Sequence, residues 1–368
     1  MKVLFVSRST LYSSYGGDTV QIENTAKYLR RLGVEVDISI DGTKKPEDYD
    51  IVHFFNMIMP DDIIGLLENP ISPVLVVSPI YVDYSESERL SPDWRRRATS
   101  RLLGRDSSEY IKAMLRCLRG NGAIKNKRFL FTGQRASIRF LLSNTCMLLP
   151  NSESELERVR RDYGYTGPAR IVPNAIDTEI FDGCLGPDNV PSIYEDAVIC
   201  VGRIEYRKNQ LALIEALNGT GYKVFIIGNA APNQSTYYEK CRGRAMSNIT
   251  FIGHMEQQYL AQIYRKARVH VLPSYFETTG LVSLEAAYCG CRIVVTDRGD
   301  QKEYFQGLAE FCSPDDVASI RAAVDRAYRD SSDLSAREII KQKYTWATTA
   351  VETLSSYQYV LESNIKKI

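Results

Sequence analysis

Short apolar runs alternate with helical patterns along most of the chain. The runs of the first half are KVLFVS, EVDISI, IVHFF, PVLVVS and CMLLPNS, and those of the second half are AVICVGR, KVFIIG, ITFIG, VHVLPS and RIVVTD. Continuous runs rich in β-branched residues, separated by helices, indicate parallel strands that are covered on both faces. The pattern predicts an α/β protein with two doubly wound, Rossmann-like domains. It also predicts a first helix with Asp18 as its N-cap and Gly33 as its C-terminal stop.

A segment rich in turn-forming residues separates the two halves. From Gly167 to Pro191 it contains four prolines and three glycines, a density typical of a linker. We predict an N-terminal domain over residues 1–173 and a C-terminal domain over residues 192–345. In residues 346–368 the apolar positions recur at steps of four, four, three and four, which predicts an amphipathic helix.

Composition and cysteine usage narrow the class of protein. Apolar residues make up 44% and charged residues 25% of the 368, as in ordinary globular proteins. No apolar run reaches the roughly 18 residues that span a bilayer, and the apolar stretch before Ser7 is too short for a signal peptide. The eight cysteines are scattered and form no zinc-type motif, which favours a reducing compartment. These features predict a cytoplasmic protein.

Charge is distributed unevenly along the chain. The whole chain carries +1, but the stretch from Arg89 to Arg139 has 14 basic and 3 acidic residues, or +11, which leaves about −10 elsewhere. This stretch lies in a predicted helical insertion at about residues 85–140, with Arg97, Arg101 and Arg105 on one helical face. Two interpretations remain open. The stretch is a solvated surface, or it binds an anionic partner such as a polyprenyl-diphosphate acceptor or the lipids at the inner face of the membrane. No nucleic-acid-binding module is recognisable.

The segment from Pro273 to Gly299 carries the strongest chemical signal. Glu277 follows a predicted strand, and Gly280 opens a helix that carries Glu285. In a doubly wound sheet such a strand end and helix N-terminus meet at the ligand crevice. There the N–H groups of Gly280, Leu281 and Val282 can cradle a phosphate. Two carboxylates beside an anion site suit a ligand with hydroxyls on both sides of a diphosphate. The alternative is two unrelated surface glutamates.

A second signal is the segment VGRIEYRKNQ, which begins at Val201. Arg203 follows a strand and Lys208 stands near the next helix start, so both cations face one edge of the sheet. Two fixed cations suit a diphosphate leaving group, although ordinary surface charge gives the same pattern. Arg207 is expected to face solvent. Neither half carries GxGxxG after its first strand, and no P-loop motif occurs, so nicotinamide, flavin and P-loop enzymes are disfavoured.

Together these motifs resemble the retaining glycosyltransferases of the GT-B fold, glycosyltransferase family four (group 1). Gly16-Gly17 and the following helix are similar to the family's first glycine loop, and IVPNAIDTEIF is similar to its interdomain motif, with Asn174 in place and Ala175 where glycine is usual. Arg203 and Lys208 match the donor-phosphate cations, and Glu277 and Glu285 match the E-x7-E pair. The final helix is similar to the family's C-terminal segment, which crosses back onto the first domain.

The resemblance implies two domains facing across a cleft and a role for each matched residue. Arg203 and Lys208 neutralise the nucleotide diphosphate, Glu285 holds the ribose and Glu277 holds the donor sugar. The loop at Gly16 and Gly17 approaches the phosphates and the acceptor. The resemblance implies neither cofactor nor metal, because the two cations take the place of Mg²⁺.

The sequence also departs from the family pattern. Many members have a histidine after the fourth strand, but here the nearest polar residues are Tyr81, Asp83 and Tyr84, which become the acceptor-side candidates. After Glu277 the usual Gly-Phe is Thr278-Thr279, whose hydroxyls either contact the sugar or fill a turn. Of the three histidines, His254 is a candidate for donor contact, whereas His53 and His270 are expected to be hydrogen-bonded core residues.

The resulting hypothesis is a glycosyltransferase that moves a hexosyl unit from a nucleotide sugar to an acceptor hydroxyl with retention. The favoured acceptor is a glycan or lipid-linked glycan in polysaccharide assembly, and this choice rests on the basic stretch alone. Two alternatives stay open: a GT-B nucleotide-sugar epimerase or hydrolase, and a non-catalytic sugar-nucleotide-binding partner of a transferase.

Overall fold

The computed structural model describes residues 1–13, 15–68, 74–82, 104–118, 124, 126–183, 190–331 and 336–365. They form two compact units. Unit 1 contains the described residues up to Tyr81, those from 104 to Ala175 and those from Trp346 onward, whereas unit 2 contains Val82 and those from Ile176 to Thr345. Within the described residues, no helix is both long enough and apolar enough to cross a membrane.

Unit 1 is built on a five-stranded parallel sheet. Its strands are β1 (Lys2–Val6), β2 (Glu35–Ser39), β3 (Ile51–Phe55), β4 (Val74–Ser78) and β5 (Met147–Leu148), in the order β2-β1-β3-β4-β5. Val3 lies opposite Val36 on one side and Ile51 on the other. The described helices are α1 (Gly17–Arg31), α2 (Asp61–Leu67), α3 (Arg105–Leu118) and α4 (Lys127–Ser143) between the strands, and α5 (Glu153–Tyr163) after β5.

The first helix begins earlier than its sequence indicates. The N-cap of α1 is Gly16, in an extended conformation, and its N–H donates to Thr19 Oγ1 at 3.2 Å. Asp18 lies in the first turn instead, where its carboxylate accepts from Arg8 Nε at 2.7 Å. The prediction that Asp18 caps the helix is therefore wrong. Gly33 lies just beyond the helix end with a φ of 82°, a conformation that favours glycine.

Unit 2 is built on a six-stranded parallel sheet. Its strands are β6 (Val198–Val201), β7 (Val224–Ile227), β8 (Ile249–Ile252), β9 (Val269–Leu272), β10 (Arg292–Thr296) and β11 (Ala309–Cys312), in the order β11-β10-β9-β6-β7-β8. The described helices are α6 (Thr178–Gly183), α7 (Gln210–Leu217), α8 (Ser235–Arg244), α9 (Gln257–Lys266), α10 (Leu281–Tyr288), α11 (Gln301–Phe305), α12 (Val317–Arg329) and α13 (Ala336–Lys343).

Both faces of the unit 2 sheet are buried. Ile199 and Val201 of β6 belong to one core cluster, and Val198 and Cys200 of the same strand belong to another. Alternate residues of a strand point to opposite faces, so each face packs against its own layer of helices. The prediction of doubly wound parallel sheets is confirmed.

The last helix, α14 (Trp346–Ile365), completes unit 1 although it follows unit 2 in the chain. Trp346, Ala350 and Tyr357 join the core that contains residues of β1 and β3. The Tyr357 hydroxyl lies 2.6 Å from His53 Nδ1 in the middle of the sheet. The predicted return of the C-terminal helix to the first domain is confirmed.

Candidate active site

The strand order of unit 2 places a ligand crevice at β6 and β9. The chain runs outward from β6 through β7 to β8, and then crosses back to β9 and continues outward to β11. Ligands of open α/β sheets bind at such a switch point, outside the carboxyl ends of the strands. The segment with Arg203 and Lys208 follows β6, and the segment with Glu277 follows β9. The two strongest sequence motifs are therefore neighbours at this edge.

Asn209 connects the loop after β6 by hydrogen bonds to the segments that follow β9 and β11. It has a φ of 58° and ends a short 3₁₀ helix over Tyr206–Lys208. Its buried amide donates to the carbonyl oxygens of Pro273 at 3.2 Å and Pro314 at 2.8 Å. Because Pro273 directly follows β9, this contact fixes Lys208 relative to Glu277.

Glu277 is the centre of a buried ion cluster. One carboxylate oxygen, Oε2, accepts from Lys208 Nζ at 2.6 Å, from Ser274 Oγ at 3.0 Å and from Arg207 Nη1 at 3.3 Å. Burial alone raises the pKa of this carboxyl, but the charges of Lys208 and Arg207 outweigh burial and hold its pKa at about 2. Glu277 is therefore ionised at neutral pH.

Arg207 belongs to this cluster rather than to the solvent. Its side chain is 17% exposed and also donates to the Phe276 carbonyl oxygen at 2.9 Å and to Glu205 at 2.9 Å. The prediction that Arg207 faces solvent is wrong, because the folded loop brings Glu277 within reach. Arg203 is the more open cation. Its side chain is 51% exposed and stands 3.9 Å from Glu205.

Glu285 has the opposite environment. Its residue is 6% exposed, and its carboxyl accepts weak hydrogen bonds from Gln257 Nε2 at 3.3 Å and the Tyr264 hydroxyl at 3.5 Å. Burial raises the pKa of Glu285 to about 7, and the two hydrogen bonds only partly offset this. The two glutamates thus differ in charge state, with Glu277 fixed as an anion and Glu285 close to its titration point at neutral pH.

The N-terminus of α10 has polar atoms in need of partners. Gly280 caps the helix with a φ of 64°, and the first-turn N–H groups of Leu281 and Val282 have no acceptor within the helix. Within the described part of the chain, three buried side-chain oxygens nearby also make no hydrogen bond: Thr279 Oγ1, Ser283 Oγ and Gln301 Oε1. Unsatisfied buried polar atoms are rare in native proteins, so this group indicates a place for a polar ligand.

Two residues after β10, one in the loop and one at the start of α11, shape this turn and were not identified from the sequence. Gly299 has a φ of 72°, and a Cβ added there would lie 1.9 Å from the Glu277 carbonyl oxygen. Gln301, which is fully buried, donates through Nε2 to the Thr278 carbonyl oxygen. A glycine directly after a strand that neighbours β9 was the available signal for the first. No local pattern indicates the second.

Other predicted site residues follow a different strand of unit 2 or lie in unit 1. His254 is exposed in the loop after β8, and its backbone N–H donates to Asn229 Oδ1 at 3.2 Å. In unit 1, Gly16 and Gly17 connect β1 with α1, and the buried amide of Asn174 lies 3.5 Å from Gln21 Oε1. Asp83, Tyr84, Arg97 and Arg101 lie outside the described residues.

The side chains of Tyr81 and Arg105 make their contacts within unit 1 and do not face a ligand. Tyr81 is 1% exposed and its hydroxyl donates to Asp162 at 2.7 Å. Arg105 donates to the same carboxylate at 2.9 Å and stacks on the Tyr81 ring. The burial of Tyr81 argues against its contact with an acceptor. The contacts of Arg105 with Asp162 and Tyr81 correct the expectation that Arg105 lies with Arg97 and Arg101 on an open basic face.

The two strand histidines differ. His53 hydrogen-bonds to Tyr357 and, through Nε2, to Ser78 Oγ at 2.9 Å, as expected for a satisfied core residue. His270 is equally buried, but neither ring nitrogen has a partner among the described residues. The expectation that His270 is hydrogen-bonded is wrong. Burial lowers the pKa of both imidazoles to about 3, so both are neutral.

Comparisons with known proteins agree with this architecture. Residues 193–346, nearly all of unit 2, match the family model described as Glycosyl transferases group 1. Glycogen synthase of Mycobacterium tuberculosis is 30% identical over 174 residues, which cover 44% of this chain and 42% of that protein. The chain thus spans less than half the length of this curated relative. Within the described residues, no group of three or more His, Cys, Asp or Glu side chains is placed to hold a metal ion.

Solved structures match nearly the whole chain. Sucrose-phosphate synthase from Thermosynechococcus elongatus superposes with a TM-score of 0.76 at 16% identity, covering 99% of this chain and 100% of that one. Anabaena HepE in complex with UDP-glucose superposes with a TM-score of 0.64 at 14% identity, covering 97% and 100%. At these identities the likeness shows the fold alone: the two Rossmann-like domains of the GT-B glycosyltransferases.

Proposed function

We propose that this chain is a glycosyltransferase that moves a hexosyl unit from a nucleotide-diphosphate sugar to an acceptor hydroxyl. The observation that carries the proposal is the ion cluster of Glu277, Lys208 and Arg207 beside the N-terminus of α10, at the switch point of the unit 2 sheet. The match to glycosyl transferases group 1 covers this unit, which supports the same assignment.

The chemistry follows from where charge develops. As the bond from the sugar to the diphosphate breaks, negative charge grows on the leaving phosphate, and fixed cations stabilise that charge. Arg203 offers a half-exposed guanidinium, and Lys208 is held in place by Glu277. The N–H groups of Gly280, Leu281 and Val282, with the hydroxyls of Thr279 and Ser283, supply neutral donors to the same anion. In this scheme no metal is needed, and the anomeric configuration is retained.

The two glutamates take the remaining parts of the donor. Glu277, in the turn, accepts hydrogen bonds from the sugar, with Thr278 and His254 as further donor contacts. Glu285, over a helical turn further along, accepts the ribose hydroxyls. From unit 1, Gly16, Gly17 and Asn174 contribute to the donor or acceptor side.

UDP-glucose is the first donor to test, because Anabaena HepE, which shares the fold, is described in complex with it. For the acceptor we propose a glycan or a polyprenyl-diphosphate-linked glycan in polysaccharide assembly. The excess of basic residues between Arg89 and Arg139 supports an anionic acceptor.

The test begins with thermal-shift screening of nucleotide sugars, because a ligand at 100 times its Kd adds about 2.7 kcal/mol of stability. With the donor found, Arg203→Ala and Lys208→Ala should each lower kcat/KM by roughly 10²-fold or more, in the presence of EDTA as well as in its absence. Lys240→Ala, an exposed lysine of α8, is the control.

Three results would contradict the proposal. Near-wild-type turnover in both variants removes the phosphate assignment, and activity lost to EDTA but restored by Mg²⁺ reveals a metal requirement. Release of free or epimerised sugar in the presence of every acceptor makes the chain a hydrolase or an epimerase.

A further inference from the structure

Helix α3 turns its apolar side outward. Among its described side chains the exposed positions are Ser107, Ile111, Leu115 and Leu118, which follow one another at steps of four, four and three. Ile111 is 38%, Leu115 is 42% and Leu118 is 82% exposed. A surface helix of a globular protein normally presents charged and polar residues on this face. The exposed side of α3 instead presents three large apolar side chains in succession.

The neighbouring helix α4 also exposes large apolar side chains. Tyr110 of α3 donates its hydroxyl to the Leu130 carbonyl oxygen at 2.6 Å and packs its ring against Phe129, so the two helices are in direct contact. At the start of α4, Leu130 is 43% and Phe131 is 83% exposed. We call these five side chains, Ile111, Leu115, Leu118, Leu130 and Phe131, the apolar patch.

Unpaired positive charge stands on the same helix as Phe131. Lys127, Arg128 and Arg139 of α4 are exposed, and within the described residues no ion pair joins them to an acidic side chain. The Arg128 guanidinium lies over the Phe140 ring, 3.7 Å from its centroid. Lys127 and Arg128 lie four and three residues before Phe131, so they share its part of the helix surface. Three other basic side chains of the two helices are paired with carboxylates: Arg105 with Asp162, Lys112 with Glu109 and Arg135 with Asp106.

We propose that the apolar patch and these three cations dock unit 1 onto an anionic membrane surface. An interfacial helix buries apolar side chains at the boundary between headgroups and acyl chains, while flanking Lys and Arg contact anionic headgroups. The stretch from Arg89 to Arg139 carries +11 and the rest of the chain about −10. An anionic surface therefore attracts this stretch and repels the rest of the chain. A second copy of the chain fits less well, because a two-fold interface would bring the same cations together.

Flotation with vesicles tests the proposal without any nucleotide sugar, so it stands or falls separately from the transferase assignment. The wild-type chain should float with vesicles of phosphatidylcholine and phosphatidylglycerol at low ionic strength, and much less with phosphatidylcholine alone. The double substitution Leu118→Ser and Phe131→Ser should weaken partition by tenfold or more, equivalent to about 1.4 kcal/mol. Both side chains are more than four-fifths exposed, so the fold is preserved, which circular dichroism checks.

Matched controls separate the apolar contribution from the charge. Ile193→Ser with Met246→Ser removes two half-exposed apolar side chains of unit 2 and should leave partition unchanged. Lys127→Glu with Arg139→Glu should also abolish binding, whereas Lys240→Glu with Lys341→Glu, an equal change of charge on unit 2, should have a much smaller effect.

Specific results overturn the proposal. Wild-type protein that stays unbound at low ionic strength excludes the membrane as partner. Unchanged partition of the Leu118→Ser, Phe131→Ser variant removes the apolar patch from the contact. Concentration-dependent dimerisation in sedimentation, abolished by that same variant, assigns the face to a second copy instead.

Discussion

Glu277 and Glu285 are eight residues apart, and both are buried, yet their surroundings are opposite. Glu277 is held by two cations and a hydroxyl, which keep its pKa at about 2. Glu285 has two long hydrogen bonds from neutral groups and a pKa of about 7. A buried carboxyl without a cation is costly to ionise, so Glu285 is retained at a site where stability alone would favour another residue. This supports a binding role for it.

The first prediction concerns the pH dependence that Glu285 imposes. Its folded-state pKa lies above the ordinary value of 4.5. The folded chain therefore carries no penalty well below pH 4.5, loses stability as the pH rises from about 4.5 to about 7, and loses no more above that. Glu285→Gln should be more stable than wild type by on the order of 3 kcal/mol at about pH 9, and the difference should vanish at about pH 4. Urea unfolding at both pH values measures this.

The same variant should bind nucleotide diphosphate more weakly by about 1–3 kcal/mol, because it loses a charged acceptor. Glu239→Gln, an exposed position on α8, is the control for both measurements. Stability curves of wild type and Glu285→Gln that run parallel from pH 5 to about 9 would show that Glu285 is not an isolated buried carboxyl.

Sequence patterns were informative about residues that follow strands and weak about residues whose partners are distant. Glu277 and Lys208 could be predicted, because the carboxyl ends of parallel strands meet at one edge. Arg207 could not be told from Lys208 in a run of basic residues, since its direction is set by Glu277, 70 positions away. Gln301 was missed for the same reason. His270 was wrongly expected to have a partner, because an apolar strand pattern reports burial and not hydrogen bonding.

At the scale of elements, an ion pair at its first position joins α3 to α5. Arg105, at its first position, reaches Asp162 near the end of α5, and Tyr81 donates to the same carboxylate. Burial raises the pKa of Asp162, but hydrogen bonds from Arg161, Tyr81 and Arg105 and the charge of Arg105 hold it at about 2. A depressed pKa contributes stability above the ordinary value of 3.8, and this is lost only as the pH falls towards 2.

The second prediction follows from this contact. Arg105→Gln should destabilise α3 by about 1–3 kcal/mol, because it removes the cation that joins α3 to Asp162 and leaves that partly buried carboxylate with Arg161 as its remaining cation among the described residues. Amide hydrogen exchange should accelerate in residues 105–118 while β1–β4 stay protected. Arg135→Gln removes a half-exposed partner of Asp106 and should cost less than about 1 kcal/mol. Equal exchange in the two variants would place the anchor of α3 elsewhere.

The continuous apolar runs predicted strands β1–β10 but not β11, and the helical patterns predicted helices without their exact beginnings. α1 begins at Gly17 because Asp18 is engaged by Arg8, a contact that no window of local sequence reports. The apolar stripe of α3 was also missed. Its residues recur at helical spacing, and spacing alone does not say which face of a helix is buried.

At the scale of the whole molecule, the chain leaves unit 1 at Ala175 and returns to it at Trp346. Pro173 and Thr349 join the departing and returning segments, through a 2.8 Å hydrogen bond from the Thr349 hydroxyl to the Pro173 carbonyl oxygen. In unit 2, Ile176 N–H donates to the Tyr344 carbonyl oxygen at 3.0 Å. One hydrogen bond therefore joins the departing and returning segments within unit 1, and another joins them within unit 2.

The third prediction is that α14 stabilises unit 1 and not unit 2. Tyr357→Ala removes a fully buried ring that contacts His53, and should destabilise unit 1 by about 3–5 kcal/mol. Hydrogen exchange should therefore accelerate in β1, β3 and β4 but remain unchanged in β6–β11. Tyr359→Ala, two positions along on the exposed side of α14, is the control. Exchange that accelerates equally in both units would mean that they unfold as one.

The discontinuity of unit 1 also sets the order in which the protein can be completed on the ribosome. Its five strands are synthesised first, but α14, which covers them, is made only after the roughly 170 residues of unit 2 (Ile176–Thr345). At 5–20 residues per second this takes on the order of 10–30 s. Throughout that time the side of β1 and β3 that will receive Trp346 and Tyr357 is covered by α1 but not yet by α14. The later unit can finish folding before the earlier one, and the nascent chain in that interval presents apolar surface of the kind that chaperones bind.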